Sequence, residues 1–184
     1  MNGTGNELAI ERIDVQHEAA VQQLFQSNSE YCVRVTGAPA TADAAFEALS
    51  ELPPGVDVQN KIDLGLWEGS ELVGFADLIL GWPHADTAHI GLLMVDTSAK
   101  SRGYGRRMHE EVLNLVAKHP QISRLRISIV QSYADLAEGF WQRMGYRKTG
   151  ESFAYTAGTV QSTAHIWMRP VGRSTGAPGE GRLR

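Results

Sequence analysis

Residues 92–108 read LLMVDTSAKSRGYGRRM, a run that predicts the end of a strand, a loop and the start of a helix. It is apolar up to Asp96, and four later residues recur at the spacing of one helix face, namely Met108, Val112, Leu115 and Val116. Gly103 and Gly105 lie where the unpaired N–H groups of the first helical turn point outward. Glycine lets the backbone approach a ligand closely, and a helix N-terminus carries roughly half a positive charge. With four nearby cations, Lys100, Arg102, Arg106 and Arg107, the loop predicts a site for a small anion.

Three kinds of phosphate-binding loop share these features. A Walker A loop ends in Gly-Lys-Ser/Thr, which this loop does not. A dinucleotide fingerprint needs Gly or Ala in place of Met108 and an acidic residue about 20 positions later, near the end of the next strand, but that strand ends in Val130-Gln131. The pattern that remains is Gln/Arg-x-x-Gly-x-Gly/Ala with Lys100 in first place. It resembles the pyrophosphate loop of the GNAT superfamily of N-acetyltransferases.

Composition narrows the class of protein. A chain of 184 residues with 42% hydrophobic residues is most simply one domain with a full core. Its net charge of -4 argues against general nucleic-acid binding, so the cationic loop is a local feature. Cys32 is the single cysteine, which excludes an internal disulfide. We expect a cytoplasmic protein without a leader or a membrane span, since the longest apolar run, 72–82, is interrupted by Asp77 and shorter than the ~18 residues required.

The first half of the chain predicts one strand and two helices. The strand is 8–13 and the helices are 14–27 and 42–50, the second with Thr41 as its N-cap and Ala45, Phe46 and Leu49 as its apolar face. The segment 31–40 between them is predicted as a helix end or a loop. Pro53-Pro54-Gly55 ends the second helix.

The second half predicts an antiparallel meander followed by alternating helices and strands. The meander consists of strands 61–67, 71–80 and 87–95, the first two joined by a turn at Glu68-Gly69-Ser70. A helix ending near His119, a strand with Leu125, Ile127 and Ile129 on one face, a helix at 133–144 and a hairpin of 145–155 with 159–168 complete the order. Residues 1–6 and 171–184 are predicted to be disordered and mobile.

The order of these elements is also that of the GNAT fold, and the helix at 133–144 supplies a further match. Residues 137–146 read AEGFWQRMGY and resemble the family's Asn-x-x-Ala-x-x-Phe-Tyr-x-x-x-Gly-Phe motif through Ala137, Phe140, Gly145 and Tyr146. Two positions depart, since Ala134 replaces the Asn and Trp141 the Tyr. The resemblance implies a GNAT domain over 7–170, of the α/β (α+β) class. Its mixed, mostly antiparallel twisted sheet would have about seven strands, flanked by about four helices and splayed at the acyl-CoA site.

The resemblance implies acetyl-CoA as co-substrate and acyl transfer to an amine. No metal is expected, because His84, His109, His119 and His165 lack the spacing of metal ligands. Loop N–H groups would bind the pyrophosphate, and Arg102 or Arg106 would add charge. The strand segment 93–95 would pair with the pantetheine amides, and an N–H near Met94 or Val95 would polarise the thioester carbonyl. The implied cofactor-binding residues are Leu93, Met94, Val95, Lys100, Ser101, Arg102, Gly103, Tyr104, Gly105, Arg106 and Trp141.

Direct transfer needs a neutral amine, so a general base is expected. The histone-type members carry a glutamate six residues before the position of Val95. Here that residue is His89, and strict alternation puts it on the strand face of Gly91, Leu93 and Val95. Asp77 is the second candidate. The alternatives are an exposed histidine at a strand start and a carboxylate on the sheet surface.

The acceptor is expected to meet the segment before the sheet, where Glu30, Tyr31 and Arg34 are candidate substrate residues, although each is more often an ordinary solvated side chain. The leading prediction is an N-acetyltransferase acting on a primary amine of a small molecule or a peptide. The alternative is a non-catalytic acyl-CoA-binding module, because Ala134 and Trp141 replace two polar groups of the motif. No nucleic-acid or membrane partner is expected, and a homodimer is left open.

Overall fold

Seven strands form one mixed sheet in the computed structural model, which describes residues 7–172. The strands are β1 (Leu8–Ile13), β2 (Lys61–Glu68), β3 (Glu71–Leu80), β4 (Thr87–Val95), β5 (Arg124–Val130), β6 (Arg147–Ala157) and β7 (Val160–Pro170). Their spatial order is β1-β2-β3-β4-β5-β7-β6, and all neighbours are antiparallel except β4 and β5. The predicted meander and the final hairpin are therefore both confirmed.

Five α-helices accompany the sheet within the described residues, rather than about four. They are α1 (Glu18–Ser27), α2 (Ser29–Thr36), α3 (Ala44–Ser50), α4 (Tyr104–Val116) and α5 (Ala134–Arg143). The additional helix is α2, which occupies much of the segment predicted as a helix end or loop. Its buried Cys32 and Val35 lie three residues apart on one helix face, and it ends at Gly37 in the left-handed conformation with φ 86°.

The start of α3 differs from the prediction. Asp43 precedes the first helical residue, and no side chain caps the helix, so Thr41 is not its N-cap. The Thr41 carbonyl instead accepts hydrogen bonds from the Ala44 N–H and the Gln22 side chain. Ala45 and Leu49 form the buried face as predicted, but Phe46 is 49% exposed, because one residue beyond Ala45 turns the side chain by about 100°.

The core has two parts, one on each face of the sheet. One part contains the apolar side chains of α4 and the first residue of α5, packed against β2 to β5. The predicted apolar face of α4 is confirmed, since Met108, Val112 and Val116 are fully buried. The other part contains buried residues of α1, α2 and α3 packed against Ile13, Phe75 and Met94.

An irregularity in β4 separates it from β5. The pairing of β3 with β4 skips Gly91, since Leu78 lies opposite Ile90 and Asp77 opposite Leu92. A bulge of this kind bends the strand. Only residues 87–89 of β4 pair with β5, at 124–126, and beyond them the two parallel strands separate. The backbone of 90–95 therefore has no strand partner on that side.

The predictions for both termini fall mostly beyond the described part of the chain. Residues 1–6 and 173–184 lie outside it. Val171, where the mobile tail was predicted to begin, still donates its N–H to the Ser123 carbonyl at 2.9 Å. Among residues 7–172, the structure contains no helix long and apolar enough to cross a membrane.

Candidate active site

A cleft of about 1010 Å³ occupies the space between the separated ends of β4 and β5. Its wall is formed by β4, β5, the glycine loop, α4, α5 and part of α2. Nearly all predicted cofactor-binding residues line it, namely Leu93, Met94, Val95, Lys100, Ser101, Gly103, Tyr104, Gly105, Arg106 and Trp141. The strand, the loop and the motif helix, predicted from three separate patterns, thus converge on one cavity.

The glycine loop leaves the first turn of α4 open to this cleft. Gly103 is the N-cap residue, with φ 83°, and no side chain caps the helix. Ser101 also has a positive φ of 67°, which is uncommon for a residue with a Cβ. Gly105 serves packing as well as access, because a Cβ there would lie 3.2 Å from the Phe140 ring of α5. The unpaired N–H groups of this turn suit an anion.

The loop cations are not equivalent. The Arg102 guanidinium donates two hydrogen bonds to Glu68, at 2.6 and 2.9 Å, and lies over the Tyr104 ring. These hydrogen bonds hold the pKa of the Glu68 carboxyl below its ordinary value. Arg102 is the one predicted cofactor residue that does not line the cleft. Lys100 and Arg106 do line it, and the latter is paired with Glu110 at 2.8 Å.

Aromatic side chains form the α5 side of the cleft. Trp141 packs edge-on against Phe140 and Tyr146, with ring centroids 5.0 Å apart in both cases. Behind it, His109 Nε2 and the Tyr146 hydroxyl share a buried hydrogen bond of 3.1 Å. Burial and the Arg169 charge lower the pKa of His109 to about 4, so its ring is neutral. The sequence did not predict this pair, because its members are 37 residues apart.

The three predicted substrate residues have different positions. Tyr31 lines the cleft, where it packs edge-on against Tyr133 with centroids 5.2 Å apart. Arg34 is instead bound to Asp135 at 2.7 Å and to Glu30 at 3.6 Å. Arg34 therefore ties α2 to the start of α5, and Glu30 takes part in the same ion-pair network rather than in the wall of the cleft.

A second cavity, of about 530 Å³, adjoins the cleft at Gly91, a residue that lines both. Its wall consists of Glu51, Leu52, Pro53, Asp77, Ile79, Trp82, His89 and Gly91. Both predicted base candidates, Asp77 and His89, lie here. Because Gly91 is the bulged residue of β4, the bend that opens the cleft also forms the junction between the two cavities.

The predicted face of His89 is wrong. The bulge at Gly91 reverses the alternation, so Leu93 and Val95 pack with the α4 side of the core, whereas His89 lies on the opposite face from its neighbours Ala88 and Ile90. A strict two-residue period cannot account for one inserted residue.

The surroundings of His89 disfavour a charged ring. Its Nδ1 lies 3.1 Å from both the carbonyl oxygen and the guanidinium of Arg126. The ring packs against Trp82 with centroids 5.0 Å apart, and the residue is buried rather than exposed at the strand start. Burial, followed by the Arg126 charge, lowers the pKa of His89 to about 3.

Asp77 belongs to a buried group of charges. Its Oδ1 accepts a hydrogen bond from Lys61 Nζ at 2.5 Å, and Asp63 Oδ1 lies 3.3 Å from the same ammonium. Asp77 Oδ2 lies against Gly91, in the space that a Cβ would occupy. Burial raises the pKa of Asp77, and raises that of Asp63 to about 7 despite the Lys61 charge.

Lys61 and Asp63 were not predicted as site residues. Their spacing of two puts both on one strand face, which a sequence can reveal, but their proximity to Asp77 depends on the β2–β3 register that pairs Asp63 with Asp77. For a metal, no group of three His, Cys, Asp or Glu side chains within residues 7–172 is arranged to hold one.

Comparison with known proteins agrees with this architecture. The model of the acetyltransferase (GNAT) family matches residues 21–146. An acetyltransferase structure from Thermus thermophilus has a TM-score of 0.70 at 22% identity, covering 89% of this chain and 96% of its own.

Two further solved structures share the fold. The ribosomal-protein-S18-alanine N-acetyltransferase from Escherichia coli has a TM-score of 0.67 at 16% identity, covering 97% and 100% of the two chains. A GCN5-related N-acetyltransferase from Kribbella flavida has a TM-score of 0.64 at 19% identity, covering 89% and 97%.

Proposed function

The chain belongs to the GNAT family of acetyltransferases, and from that premise we propose that it transfers the acetyl group of acetyl-CoA to a primary amine by direct attack. The observation that carries the proposal is the separation of β4 from β5 after His89, which opens a cleft of about 1010 Å³ beside an unpaired strand edge. An extended pantetheine arm with two amides can pair with such an edge as a strand would.

In this proposal the pyrophosphate of acetyl-CoA binds at the glycine loop, at one end of the cleft. Gly103 exposes the N–H groups of the first α4 turn, and Lys100 and Arg106 line the same wall. Backbone donors and a helix N-terminus bind phosphate oxygens without a large desolvation cost. The acetyl end would then lie further along β4, toward the bulge at Gly91, where an N–H near Met94 or Val95 can polarise the thioester carbonyl.

The nucleophile must be a neutral amine, and we propose Asp77 as the base that produces it. A group with a pKa of about 3, as in His89, is a weak proton acceptor at neutral pH. Burial raises the pKa of Asp77 and so makes its carboxylate a stronger base. Its Oδ2 also faces Gly91, at the junction of the two cavities. In this proposal His89 is a neutral wall residue.

The acceptor would enter through the smaller cavity and reach the thioester past Gly91. Of the described residues in that wall, Glu51 and Asp77 are acids, while Leu52, Pro53, Ile79 and Trp82 are apolar or aromatic. Such a wall suits an ammonium group on a small apolar body. Tyr31 and Tyr133 would bound the acceptor side of the main cleft.

The test is release of CoA from acetyl-CoA, followed with a thiol reagent in the presence and absence of amines. The panel contains n-butylamine, 1,4-diaminobutane, 2-phenylethylamine, free amino acids, an aminoglycoside and short peptides with free N-termini. We expect amine-dependent release, with the acetylated amine identified by mass spectrometry. Tight acetyl-CoA binding without amine-dependent release would instead support a non-catalytic acyl-CoA-binding module.

A further inference from the structure

Three ionisable side chains lie together on one sheet face beneath the smaller cavity. Lys61 and Asp63 are two residues apart on β2, and Asp77 is the direct cross-strand partner of Asp63 on β3. The three side chains are 5%, 6% and 16% exposed, respectively. Charges are rarely buried to this extent unless they are paired, and here one ammonium serves two carboxylates.

In this triad of Lys61, Asp63 and Asp77, one carboxylate oxygen accepts a hydrogen bond from the ammonium and others do not. Asp77 Oδ1 is held by Lys61 at 2.5 Å, which fixes the carboxylate so that Oδ2 faces Gly91. Asp63 Oδ1 is buried and accepts no hydrogen bond within residues 7–172, although it lies 3.3 Å from Lys61. A buried carboxylate oxygen without a donor is costly, which raises the affinity of the ionised pair for a proton.

The charge count gives the triad two accessible states. With both carboxylates ionised its net charge is -1, and with one proton shared between them it is neutral. The groups that face Asp77 are Lys61 and Asp63 on β2, His89 on β4 and Glu51 after α3, with Arg126 of β5 behind His89. Because His89 is neutral, the change between these states is decided chiefly within the triad.

We infer that Lys61 and Asp63 are positioning residues that make Asp77 the proton acceptor for a cationic primary amine entering from the smaller cavity. This inference rests on the proposed function. Lys61 orients the carboxylate and keeps it ionised. Asp63 supplies the second negative charge, which makes Asp77 more basic than a carboxylate paired one-to-one with an ammonium.

The proton balance of the step is complete. The ammonium R–NH₃⁺ passes one proton to Asp77 Oδ2, which changes the triad from -1 to neutral and leaves R–NH₂. The nitrogen lone pair then attacks the thioester carbon, and the C–S bond breaks when the tetrahedral intermediate collapses. The second proton on nitrogen leaves with the thiolate as CoA–SH. The triad finally returns its proton to water, so R–NH₃⁺ and acetyl-CoA give the amide, CoA–SH and H⁺.

The kinetic test is the acidic limb of kcat/KM with n-butylamine and 2-phenylethylamine as acceptors. The midpoint pH of this limb should report the pKa at which the triad of the free enzyme takes up a proton. Asp63→Asn should move it at least about one pH unit toward acid, because the second negative charge is gone. Lys61→Met should move it at least about one unit toward alkali, because two carboxylates then lack their cation. Asp77→Asn should lower the plateau rate by roughly 10²- to 10⁴-fold.

A second readout does not depend on turnover. Aspartate labelled with ¹³C at the side-chain carboxyl, observed by NMR across pH in the whole protein, should give a signal that titrates near neutral pH. That signal should vanish in both Asp63→Asn and Asp77→Asn. Asp43→Asn is the matched control, since Asp43 is exposed and makes no capping hydrogen bond, and it should leave the signal in place.

The two readouts separate the possible failures. If no amine is acetylated, the proposed function fails, while the NMR titration still tests the shared proton. Two carboxyl signals that both titrate below about pH 5 would overturn the inference even in an active enzyme. A limb that stays at the wild-type pH in both Lys61→Met and Asp63→Asn would also overturn it. Thermal unfolding and acetyl-CoA calorimetry of each variant identify those that merely fail to fold.

Discussion

The Asp77 carboxylate occupies the space that a side chain on Gly91 would need. Gly91→Ala should therefore force the carboxylate away from the bulge and from Lys61. We expect a loss of about 1–3 kcal/mol in the free energy of unfolding, typical of an added methyl group in a packed site. We also expect at least about a tenfold lower kcat/KM with n-butylamine. Chemical denaturation and initial rates measure the two effects.

Two variants serve as comparisons for Gly91→Ala. Gly139→Ala on α5 adds the same methyl group where it would meet only the end of the Arg143 side chain, at 3.4 Å, so stability should be unchanged or higher. The double variant Gly91→Ala/Asp77→Ala removes the colliding carboxylate, so the two stability losses should not add. Additive losses would show that Gly91 and Asp77 do not interact.

A second prediction concerns the backbone at the glycine loop. Gly103→Val should weaken acetyl-CoA binding, measured by calorimetry, by on the order of 100-fold or more, because a Cβ at φ 83° disturbs several N–H donors together. Gly150 on β6 has φ 91° and the same open surroundings, away from the cleft. Gly150→Val should carry similar backbone strain with acetyl-CoA affinity unchanged. Equal affinities of the two valine variants would refute the loop assignment.

The loop cations should contribute unequally to the same affinity. Arg106→Ala and Lys100→Ala should each cost about 1–2 kcal/mol of binding free energy, a loss that shrinks as salt rises. Arg102→Ala should weaken binding by less than about threefold, since its guanidinium is bound to Glu68 and does not line the cleft. Calorimetry at two salt concentrations checks the order, and a larger loss for Arg102→Ala than for Arg106→Ala would contradict it.

Local patterns were sufficient to predict most of the fold. A helix or strand must bury one face wherever it lies in the fold, and that requirement leaves a local pattern. It is seen in the helical spacing of Met108, Val112 and Val116 and in the two-residue spacing of Leu125 and Ile127. The short helix α2 was harder to predict, because Arg34, one of its polar residues, is bound to Asp135, which lies 101 positions away. No local window contains that partner.

The residues that line the main cleft could largely be predicted from the sequence, whereas those around the smaller cavity could not. The cleft depends on a contiguous loop and on the family motif around Trp141. The smaller cavity depends on a one-residue bulge at Gly91 and on the register that brings Lys61 and Asp77 together. Both are properties of strand pairing, so hydrophobic alternation alone cannot reveal them.

A fourth prediction uses the buried, neutral His89. Its pKa is about 3 in the folded protein and near 6.5 when unfolded, so below pH 6.5 the unfolded state binds a proton that the folded state does not. The contribution of neutral His89 to the free energy of unfolding is thus complete above pH 6.5. It falls by up to about 1.4 kcal/mol per pH unit between pH 6.5 and 3.

His89→Gln should remove that part of the pH dependence, as measured by urea unfolding at several pH values. If His89 is not the base, the acidic limb of kcat/KM should also remain in this variant. A limb that disappears in His89→Gln, together with one that persists in Asp77→Asn, would give the role of base to His89.

The last prediction concerns the departing thiolate. Trp141 replaces the motif tyrosine, and an indole N–H can donate a hydrogen bond but does not ionise in the working range. Two other tyrosines could act as an acid in its place, one next to Trp141 and one across the cleft. Tyr146 is fully buried and shares its hydroxyl with His109, while Tyr133 lines the cleft beside Tyr31. Burial raises the pKa of both phenols, so neither gives up its proton readily.

A thiol with a pKa in the region of 8 to 9 is a good leaving group, so we expect no dedicated acid. Trp141→Phe, Tyr133→Phe and Tyr146→Phe should each keep kcat within about tenfold of wild type. Tyr146→Phe should instead lose about 1–3 kcal/mol of stability, because His109 Nε2 is then buried without a partner. Rates and denaturation curves of the three variants separate these effects. A drop in kcat beyond about 100-fold in either tyrosine variant, with acetyl-CoA affinity unchanged, would identify a relocated acid.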